Sequence, residues 1–286
     1  MGATRVLIVA ACLWGLVACG DPPPASSVAA SGERRIVSLS PALTRTLLVL
    51  GARDELVAVD RYSRRLPGLA SLPSLGGVFH PDLERTLELR PTLVLGVAGV
   101  EQRPFFNRLR EQGIEVREIA AQTLAEVLAS FERVGAALGR AQSGAELAAR
   151  VRAELGAIER STAGRPRPRV ALVLERDPLY VVGRGAFLGE LIGIAGGKNV
   201  FADLRAPYPR VSLEALAERR PDVILDSFID PSDPQGSRLD LAAYWGRFAW
   251  AGRVEPLTAD ATQPGPELAR TARELRARIH PDLDAP

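Results

Sequence analysis

The sequence predicts an α/β fold made of two lobes that are joined by a helical connector. Short apolar strand-like runs alternate with helix-like runs in two separate stretches of the chain, which is typical of mostly parallel sheets covered on both faces. Two long helical runs with no strand between them separate these stretches, and a segment of the first stretch recurs in the second, 130 positions later. At 286 residues the chain is long enough to build two such cores.

The first stretch, predicted as a lobe over residues 34–122, begins with a strand at Ile36. "PALTRTLLVLG" is predicted as a helix, because Pro41 falls in its first turn and Gly51 follows its end. "ELVAVD" is a second strand, and the helix that follows Asp82 leads to the strand "TLVLGV". "RPFFNRLREQGIEVREIA" repeats the order of helix, glycine and strand.

The connector is predicted over residues 123–162, and the second lobe over 163–286. "TLAEVLASFERVGAALG" opens with Thr123 and Glu126 at the spacing of a capping box. "SGAELAARVRAELGAIERS" opens with Ser143 and Glu146 at the same spacing. Both runs are therefore predicted as helices that begin at these caps.

The repeated segment is "DLERTLELRPTLVL" at 82–95 and "SLEALAERRPDVIL" at 212–225. The segments are identical at Leu83/Leu213, Glu84/Glu214, Glu88/Glu218, Arg90/Arg220, Pro91/Pro221 and Leu95/Leu225. Each reads as an acidic or hydroxyl cap, a helix, an Arg-Pro stop and a strand, since the residue before proline is kept out of the helical region. The two segments could derive from duplication of one ancestral segment. The alternative is that they converged independently on a common helix-and-strand pattern.

The first residues are predicted to be an export signal rather than part of the fold. Val6 to Val17 form an apolar run of signal-peptide length that is too short to span a bilayer. "LVAC" then resembles the lipobox before a lipidated cysteine, so residues 1–18 are predicted as a lipoprotein signal and Cys19 as the lipidation site. Residues 19–33 would form a flexible tether. A plain cleaved signal is the alternative.

Several function classes are disfavoured by composition and motifs. The formal net charge of +2 gives no reason to expect nucleic-acid binding. The glycines of "VVGRGAFLGE" are one residue too widely spaced for a dinucleotide loop. No "GxSxG" occurs, and His80 and His280 are the only histidines, so neither a serine hydrolase nor a polyhistidine zinc site is expected. The chain is therefore predicted not to be an enzyme and to need no cofactor.

Several short motifs, in their order along the chain, resemble those of the substrate-binding proteins of ABC importers. The resemblance is to the class whose lobes are joined by one rigid helix. The motifs are "RIVSLSPALT", "LVAVDRYS", "LGGVFHPDLERTLELRPTLVL", "GIAGGKNVF", "PYPRVSLEALAERRPDVIL" and "YWGRF". Within that class the chain is most similar to the cobalamin- and ferric-siderophore-binding branch. The resemblance implies two Rossmann-like α/β lobes, a long rigid connecting helix and a ligand cleft between the lobes.

The resemblance also implies which residues contact the ligand. The expected contacts are Tyr62, Phe79, His80, Tyr180, Tyr208 and Asp260. Aromatic faces suit a tetrapyrrole because they bury a large apolar area with few rotamers to freeze. His80 is in addition a possible axial ligand to a chelated metal, since a neutral imidazole binds cobalt or haem iron; its alternative role is an ordinary loop hydrogen bond.

The expected function is an extracytoplasmic, lipid-anchored receptor that delivers a metal-containing chelate to a membrane permease. Cobalamin or a related corrinoid is favoured, although the tryptophan that is frequent in the "GGVFHPD" loop of cobalamin binders is missing. A ferric siderophore, which Arg61, Arg184 or Arg205 could meet, is the alternative, followed by haem and then molybdate or tungstate. An exported metal-chelate enzyme is a different class that the residues do not favour.

The expected partners are an ABC permease dimer with its ATPase subunits, met by the protein as a monomer. In the family, one glutamate of each lobe lies on the permease-facing rim and pairs with arginines of the importer. Glu84 and Glu214 match those two positions. Compensation of a helix dipole is the other reason for an acidic residue there.

Overall fold

A computed structural model describes residues 34–78, 80–99, 101–227 and 234–283, without the side chains of 234–239 and 259. The predicted signal, Cys19, the tether and Phe79 lie outside these residues. The strands are β1 (Ile36–Ser38), β2 (Leu56–Val59), β3 (Leu93–Val97), β4 (Glu115–Ile119), β5 (Arg169–Arg176), β6 (Leu179–Val181), β7 (Lys198–Asn199), β8 (Val223–Asp226) and β9 (Arg253–Pro256). The α-helices are α1 (Pro41–Val49), α2 (Leu83–Glu88), α3 (Arg103–Glu111), α4 (Leu124–Ala137), α5 (Ala141–Ser161), α6 (Phe187–Ile194), α7 (Leu213–Glu218), α8 (Pro234–Trp245) and α9 (Leu268–Ile279).

The first lobe contains one parallel sheet in the order β2-β1-β3-β4. Its central strands are buried, with Val37 paired to Val94 in the register of β1 and β3. Parallel strands are joined through helices that cover the sheet. The predicted alternation of strands and helices is therefore confirmed here.

The second lobe contains a sheet in the order β6-β5-β8-β9, with β7 also paired to β5. β5 pairs in parallel with β7 and β8, whereas β6 runs antiparallel to β5. Only residues 177–178 separate β5 from β6, and a link of two residues permits a hairpin but no parallel crossover. The predicted α/β class with two lobes is confirmed, and the antiparallel strand is a detail that the alternation of elements did not predict.

Helices α4 and α5, which lie between the two sheets in sequence, cross at a pair of glycines. A Cβ atom on Gly135 would lie 2.8 Å from the Cα of Gly144. A Cβ atom on Gly144 would lie 2.6 Å from the carbonyl oxygen of Phe131. Side chains at these two positions would force the helices apart, so the glycines permit the close crossing. The same hydrophobic core includes Phe131 of α4, Ile158 of α5 and strand residues of both sheets.

The predicted start of the second connector helix at Ser143 is wrong. Helix α5 begins at Ala141, with Arg140 at the N-cap position and Ser143 inside the first turn. The turn after α4 places Arg140 against that helix, because its amide donates to the carbonyl of Gly135 at 2.7 Å. The close crossing at the glycines therefore fixes where α5 begins, and it overrides the local Ser143–Glu146 signal.

The predicted capping box at the start of α4 is confirmed. The Thr123 hydroxyl accepts from the amide of Glu126 at 3.2 Å, and the Glu126 carboxylate accepts from the amide of Thr123 at 3.1 Å. Together with a further bond from the amide of Gln122, these contacts lower the pKa of Glu126. The Glu190 carboxylate, on α6 of the second lobe, accepts from the amide of Leu124 at the start of α4 at 2.9 Å.

Glu126→Gln is expected to lower the free energy of unfolding by about 0.3–1 kcal/mol at pH 7, because glutamine still accepts from the same amides but lacks the negative charge that favours the helix N-terminus. The folded-state pKa of Glu126 lies below its unfolded value, so its contribution is present above the unfolded pKa of about 4.3. That contribution is lost as the pH falls through the folded pKa. Urea titrations of both proteins at pH 7 and near pH 3 test this; a difference that persists at pH 3 would contradict it.

Candidate functional site

A cavity of about 610 Å³ lies between the lobes and forms the candidate ligand site. It is lined by Ser40, Pro41, Ala42, Val78, Val97, Ala98, Gly99, Glu101, Gln102, Gln263 and Pro264. The last two residues belong to the second lobe and the others to the first. This volume and the mainly apolar lining, with a few polar side chains, are typical of small-molecule sites. The lining includes no arginine or lysine among the described residues.

Tyr62 is held by a turn that is anchored on a buried aspartate. The Asp60 carboxylate accepts from the amides of Tyr62 at 2.9 Å and Ser63 at 3.1 Å, and from the Ser63 hydroxyl. Ser63 in turn contacts the buried hydroxyl of Thr44 at 2.9 Å. Burial raises the pKa of Asp60, and these hydrogen bonds oppose the rise. Tyr62 itself is 45% exposed and is therefore accessible to a ligand.

Arg61, Arg184 and Arg205, the arginines expected to meet a siderophore, do not line the cavity. Arg61 lies over the Tyr62 ring, with its guanidinium carbon 5.0 Å from the ring centroid. Arg184 donates to the carbonyl of Ala202 at 2.8 Å, and Arg205 is exposed. None of the three arginines named for a siderophore therefore reaches the cavity lining.

Tyr180 and Tyr208 are brought onto neighbouring segments of the second lobe. The amide of Val181 donates to Pro209 at 3.1 Å, and Tyr180 forms an antiparallel bridge with Arg210. Tyr180 is partly buried, and Tyr208 is 38% exposed. Desolvation by the surrounding protein raises the pKa of the Tyr208 phenol, so the hydroxyl is protonated at neutral pH.

His80 and Asp260 are both exposed, but only Asp260 has an ion-pair partner across the lobes. The guanidinium of Arg45, on α1, lies 3.0 Å from the Asp260 carboxylate, 215 positions along the chain. Asp260 also accepts, through its backbone carbonyl, from the amide of the cavity residue Gln263 at 3.2 Å. Asp260 therefore stands at the boundary of the lobes beside the cavity, already engaged with a cation.

None of the predicted ligand contacts that the structure describes lies in the cavity lining itself. Tyr62, Tyr180, Tyr208, His80 and Asp260 are outside it. Asp60, Glu101, Gln102 and Gln263 were not predicted from sequence. The role of Asp60 could have been predicted from sequence. An aspartate often accepts from the amides two and three residues later, here those of Tyr62 and Ser63, and so forms an Asx turn.

The two repeated glutamates occupy equivalent positions on equivalent helices. Asp82 caps α2 by accepting from the amide of Arg85 at 3.0 Å, and Ser212 caps α7 by accepting from the amide of Ala215 at 3.2 Å. Glu84 and Glu214 follow in the first turn of each helix, and both are exposed. Hydrogen bonds from its own amide and from Ser212 lower the pKa of Glu214, so it is ionised at neutral pH.

The repeat extends further than the sequence identities. Arg35, just before β1, donates through its guanidinium to the carbonyl of Leu89 at the end of α2. Arg169, the first residue of β5, donates likewise to the carbonyls of Arg219 and Arg220 at the end of α7. Each arginine thereby ties the end of a glutamate-bearing helix to the first strand of its sheet.

The Arg-Pro stops also share an unusual backbone conformation. Arg90 has a φ of 45° and Arg220 a φ of 43°, both in the left-handed region. This region ends a helix by directing the chain away from it, and it is uncommon for residues other than glycine. The sequence placed both stops correctly, although the prolines alone predicted an extended residue there.

Two other kinds of site are absent from the part of the chain that the structure describes. No group of three or more histidine, cysteine, aspartate or glutamate side chains could hold a metal ion there. No helix in the same residues combines the length and apolar character needed to cross a bilayer. His280, the second histidine, is buried beside the carbonyl of Gly196 at 3.4 Å.

Two α/β lobes with a cavity between them are typical of solute-binding proteins. The sequence matches the periplasmic binding protein family over residues 36–227, and the chain belongs to this family. It is similar to the vitamin B12-binding protein of Salmonella typhimurium, with 28% identity over 242 residues, 84% of this chain and 88% of that protein.

Solved structures show the same architecture. The periplasmic haem-binding protein RhuT from Roseiflexus sp. RS-1 aligns with a TM-score of 0.74 and 27% identity, over 88% of this chain and 100% of that one. The periplasmic vitamin B12-binding protein BtuF of Vibrio cholerae aligns with a TM-score of 0.74 and 24% identity, over 88% and 98%, and supports the fold. The relatives are named for binding vitamin B12 or haem, and this chain is a binding protein of the same family rather than an enzyme.

Proposed function

We propose that the protein is the receptor of an ABC importer that captures a metal-containing chelate, with a corrinoid as the favoured ligand. The observation that carries this proposal is the mainly apolar cavity between the lobes, with four polar side chains in its lining. A flat, largely apolar macrocycle with a polar rim suits such a lining. The similarity over most of the chain to vitamin B12-binding proteins supports the corrinoid among chelates.

Haem is the first alternative, because the haem-binding protein RhuT is similar at 27% identity. A ferric siderophore is less favoured, since the arginines that could meet an anionic complex do not line the cavity. Molybdate and tungstate are less favoured for the same reason, because a small oxyanion needs donors or cations on several sides.

The exposed tyrosines are proposed as further contacts for a ligand larger than the cavity. Tyr62 stands on its turn in the first lobe, and Tyr180 and Tyr208 on paired segments in the second. Phe79 belongs to the same proposal from its place in the sequence. Asp260 is proposed as a polar contact of the ligand. It would act either after its ion pair with Arg45 breaks or with that ion pair intact.

His80→Ala tests whether the exposed imidazole coordinates the metal of the chelate. If His80 is an axial ligand, its loss shifts the visible absorption bands of the bound corrinoid or haem and weakens binding. Absorption spectra of the two loaded proteins at matched concentration report this directly. Identical spectra and affinities would remove His80 from coordination and leave it as a loop residue.

Delivery is proposed to occur through docking of Glu84 and Glu214 on arginines of a permease dimer that carries its ATPase subunits. We further propose that the protein acts as a monomer held at the membrane through a lipid on Cys19, on the extracytoplasmic side. Labelling of cells with a radioactive fatty acid tests the anchor: the wild-type chain should carry the label and Cys19→Ala should not, and an unlabelled wild-type chain would contradict lipidation.

The ligand proposal is tested by a thermal-shift and calorimetry screen of the delipidated protein. The panel contains cobalamin, cobinamide, haem, ferric siderophores, molybdate and tungstate. A ligand that binds the native state raises the free energy of unfolding by about 2.7 kcal/mol at one hundred times Kd. The melting temperature therefore rises with ligand concentration. We expect the largest shift with a corrinoid; a shift with haem alone would move the assignment to haem, and no shift with any compound would contradict the receptor proposal.

A further inference from the structure

The N-terminus of helix α1 opens onto the cavity with unused hydrogen-bond donors. Ser40, Pro41 and Ala42 all line the cavity. The first helical bond runs from the amide of Thr44 to the carbonyl of Ser40 at 2.9 Å, so the amides of Ala42 and Leu43 precede it. These two amides make no hydrogen bond within the described residues.

Ser40 adds an independent observation at the same place. It occupies the N-cap position and is only 4% exposed, yet its hydroxyl does not cap the helix. The Ser40 hydroxyl has no hydrogen-bond partner within the described residues, whereas the Ser40 carbonyl accepts from the amide of Thr44. Serine at an N-cap normally accepts from the helix, as Ser212 does on α7. Because Ser40 lines the cavity, this unpartnered hydroxyl is available to a ligand there.

Hydrogen-bond acceptors also line the same cavity. Gln102 is buried and donates through Nε2 to the carbonyl of Val78 at 2.6 Å, which leaves its side-chain oxygen beside Gly99. The carboxylate of Glu101 and the amide of Gln263 complete the polar lining. The cavity therefore offers donors from α1 and acceptors from Glu101 and Gln102, with no arginine or lysine among its described lining residues.

The corresponding helix of the second lobe lacks this feature. The first amide of α6, that of Phe187, donates to the carbonyl of Gln122 at 2.8 Å. Its N-cap residue, Ala186, is fully buried and has no side-chain hydroxyl. The open helix start at Ser40 is therefore a property of one lobe and not a consequence of the repeated architecture.

We infer that Ser40 and the start of α1 form a subsite for a carboxamide group on the rim of the ligand. A carboxamide carbonyl accepts from the Ser40 hydroxyl and the amide of Ala42, and its NH₂ donates to Glu101 or Gln102. A carboxylate satisfies only the donors and is repelled by Glu101. The inference rests on the proposed receptor function and deepens it, because the cavity then selects macrocycles that carry amides over those that carry carboxylates.

The test compares two probes that share one macrocycle, dicyanocobinamide with peripheral amides and dicyanocobyrinic acid with carboxylates at those positions. We expect the wild-type protein to bind the amide form at least about tenfold more tightly. Ser40→Ala should weaken cobinamide binding by about tenfold, the effect of one hydrogen bond in a closed site. Glu101→Gln should reduce the preference, through tighter binding of the acid.

Ser212→Ala is the matched control, because it removes an N-cap serine of the other lobe. It should lower the melting temperature, since its cap bond is lost, and leave cobinamide affinity unchanged. Ser40→Ala should instead weaken cobinamide binding and leave the melting temperature of the unliganded protein equal to that of the wild type. Melting curves of both variants thus separate a binding role from a capping role.

Equal affinity for the two probes, or unchanged cobinamide affinity in Ser40→Ala, would overturn the subsite and leave the receptor proposal standing. Tighter binding of dicyanocobyrinic acid or haem than of cobinamide would overturn the choice of amide over carboxylate. Failure of every macrocycle to bind would overturn the receptor proposal itself, and the subsite with it.

Discussion

Glu84→Arg combined with Glu214→Arg is expected to abolish importer-dependent uptake while chelate binding stays as in the wild type. Both glutamates are exposed in the first turn of their helices. If they meet arginines of the permease, reversal places like charges together, at a cost of several kcal/mol. Since each 1.4 kcal/mol is tenfold in affinity, uptake should fall by more than about tenfold. Uptake of labelled ligand by cells that carry the importer measures it.

The repeat supplies a matched control in Glu88→Arg with Glu218→Arg. These glutamates are also identical between the segments and exposed, but they lie at the last turns of α2 and α7. The control changes the net charge by the same amount and should leave uptake near the wild-type value. Intact uptake in the Glu84/Glu214 variant with unchanged binding would refute docking, and equal loss in both variants would reduce it to a general charge effect.

Gly144→Leu is expected to lower the free energy of unfolding by about 3 kcal/mol, at the upper end of overpacking effects. The added side chain would meet the backbone of α4, since even a Cβ would lie 2.6 Å from the Phe131 carbonyl oxygen and 3.1 Å from the Cα of Gly135. Backbone atoms in a helix cannot move aside as a flexible side chain does. Urea unfolding followed by circular dichroism measures the change.

Gly156→Ala is the control in the same helix, and the opposite sign is expected. Its Cβ would meet only the end of the Arg160 side chain, at 3.3 Å, which can move away. Alanine should then stabilise α5 by about 0.5–1 kcal/mol through its higher helix propensity. If Gly144→Leu were as stable as the wild type, the close crossing of α4 and α5 would be refuted.

The parts of the fold that could be predicted from sequence are those decided by local chemistry. The Thr123–Glu126 capping box and the Arg90 and Arg220 stops each depend on residues within a few positions of one another, and the structure confirms them. Ser143 shows the limit, because the same local signal was overridden by the packing of Gly144 on a different helix. The antiparallel β6 was missed because alternation alone does not reveal a hairpin.

The candidate site divides in the same way. Glu84 and Glu214 could be singled out because a repeated segment marks them, although their docking role remains a prediction. The Arg45–Asp260 ion pair joins residues 215 positions apart, and no sequence pattern links them. The position of Gln102 depends on the loop that carries Val78, and only the tertiary structure leaves the Ser40 hydroxyl unpartnered at the cavity. Such features arise from tertiary placement.

The most direct test of the central claim is an equilibrium titration of the delipidated protein with dicyanocobinamide and haem, followed by recovery of the ligand after unfolding. A receptor that holds a chelate between its lobes should saturate at one corrinoid per chain. The corrinoid should be recovered chemically unchanged, as judged by its absorption spectrum and mass. Absence of saturable binding for both chelates, or recovery of a converted product, would contradict the account.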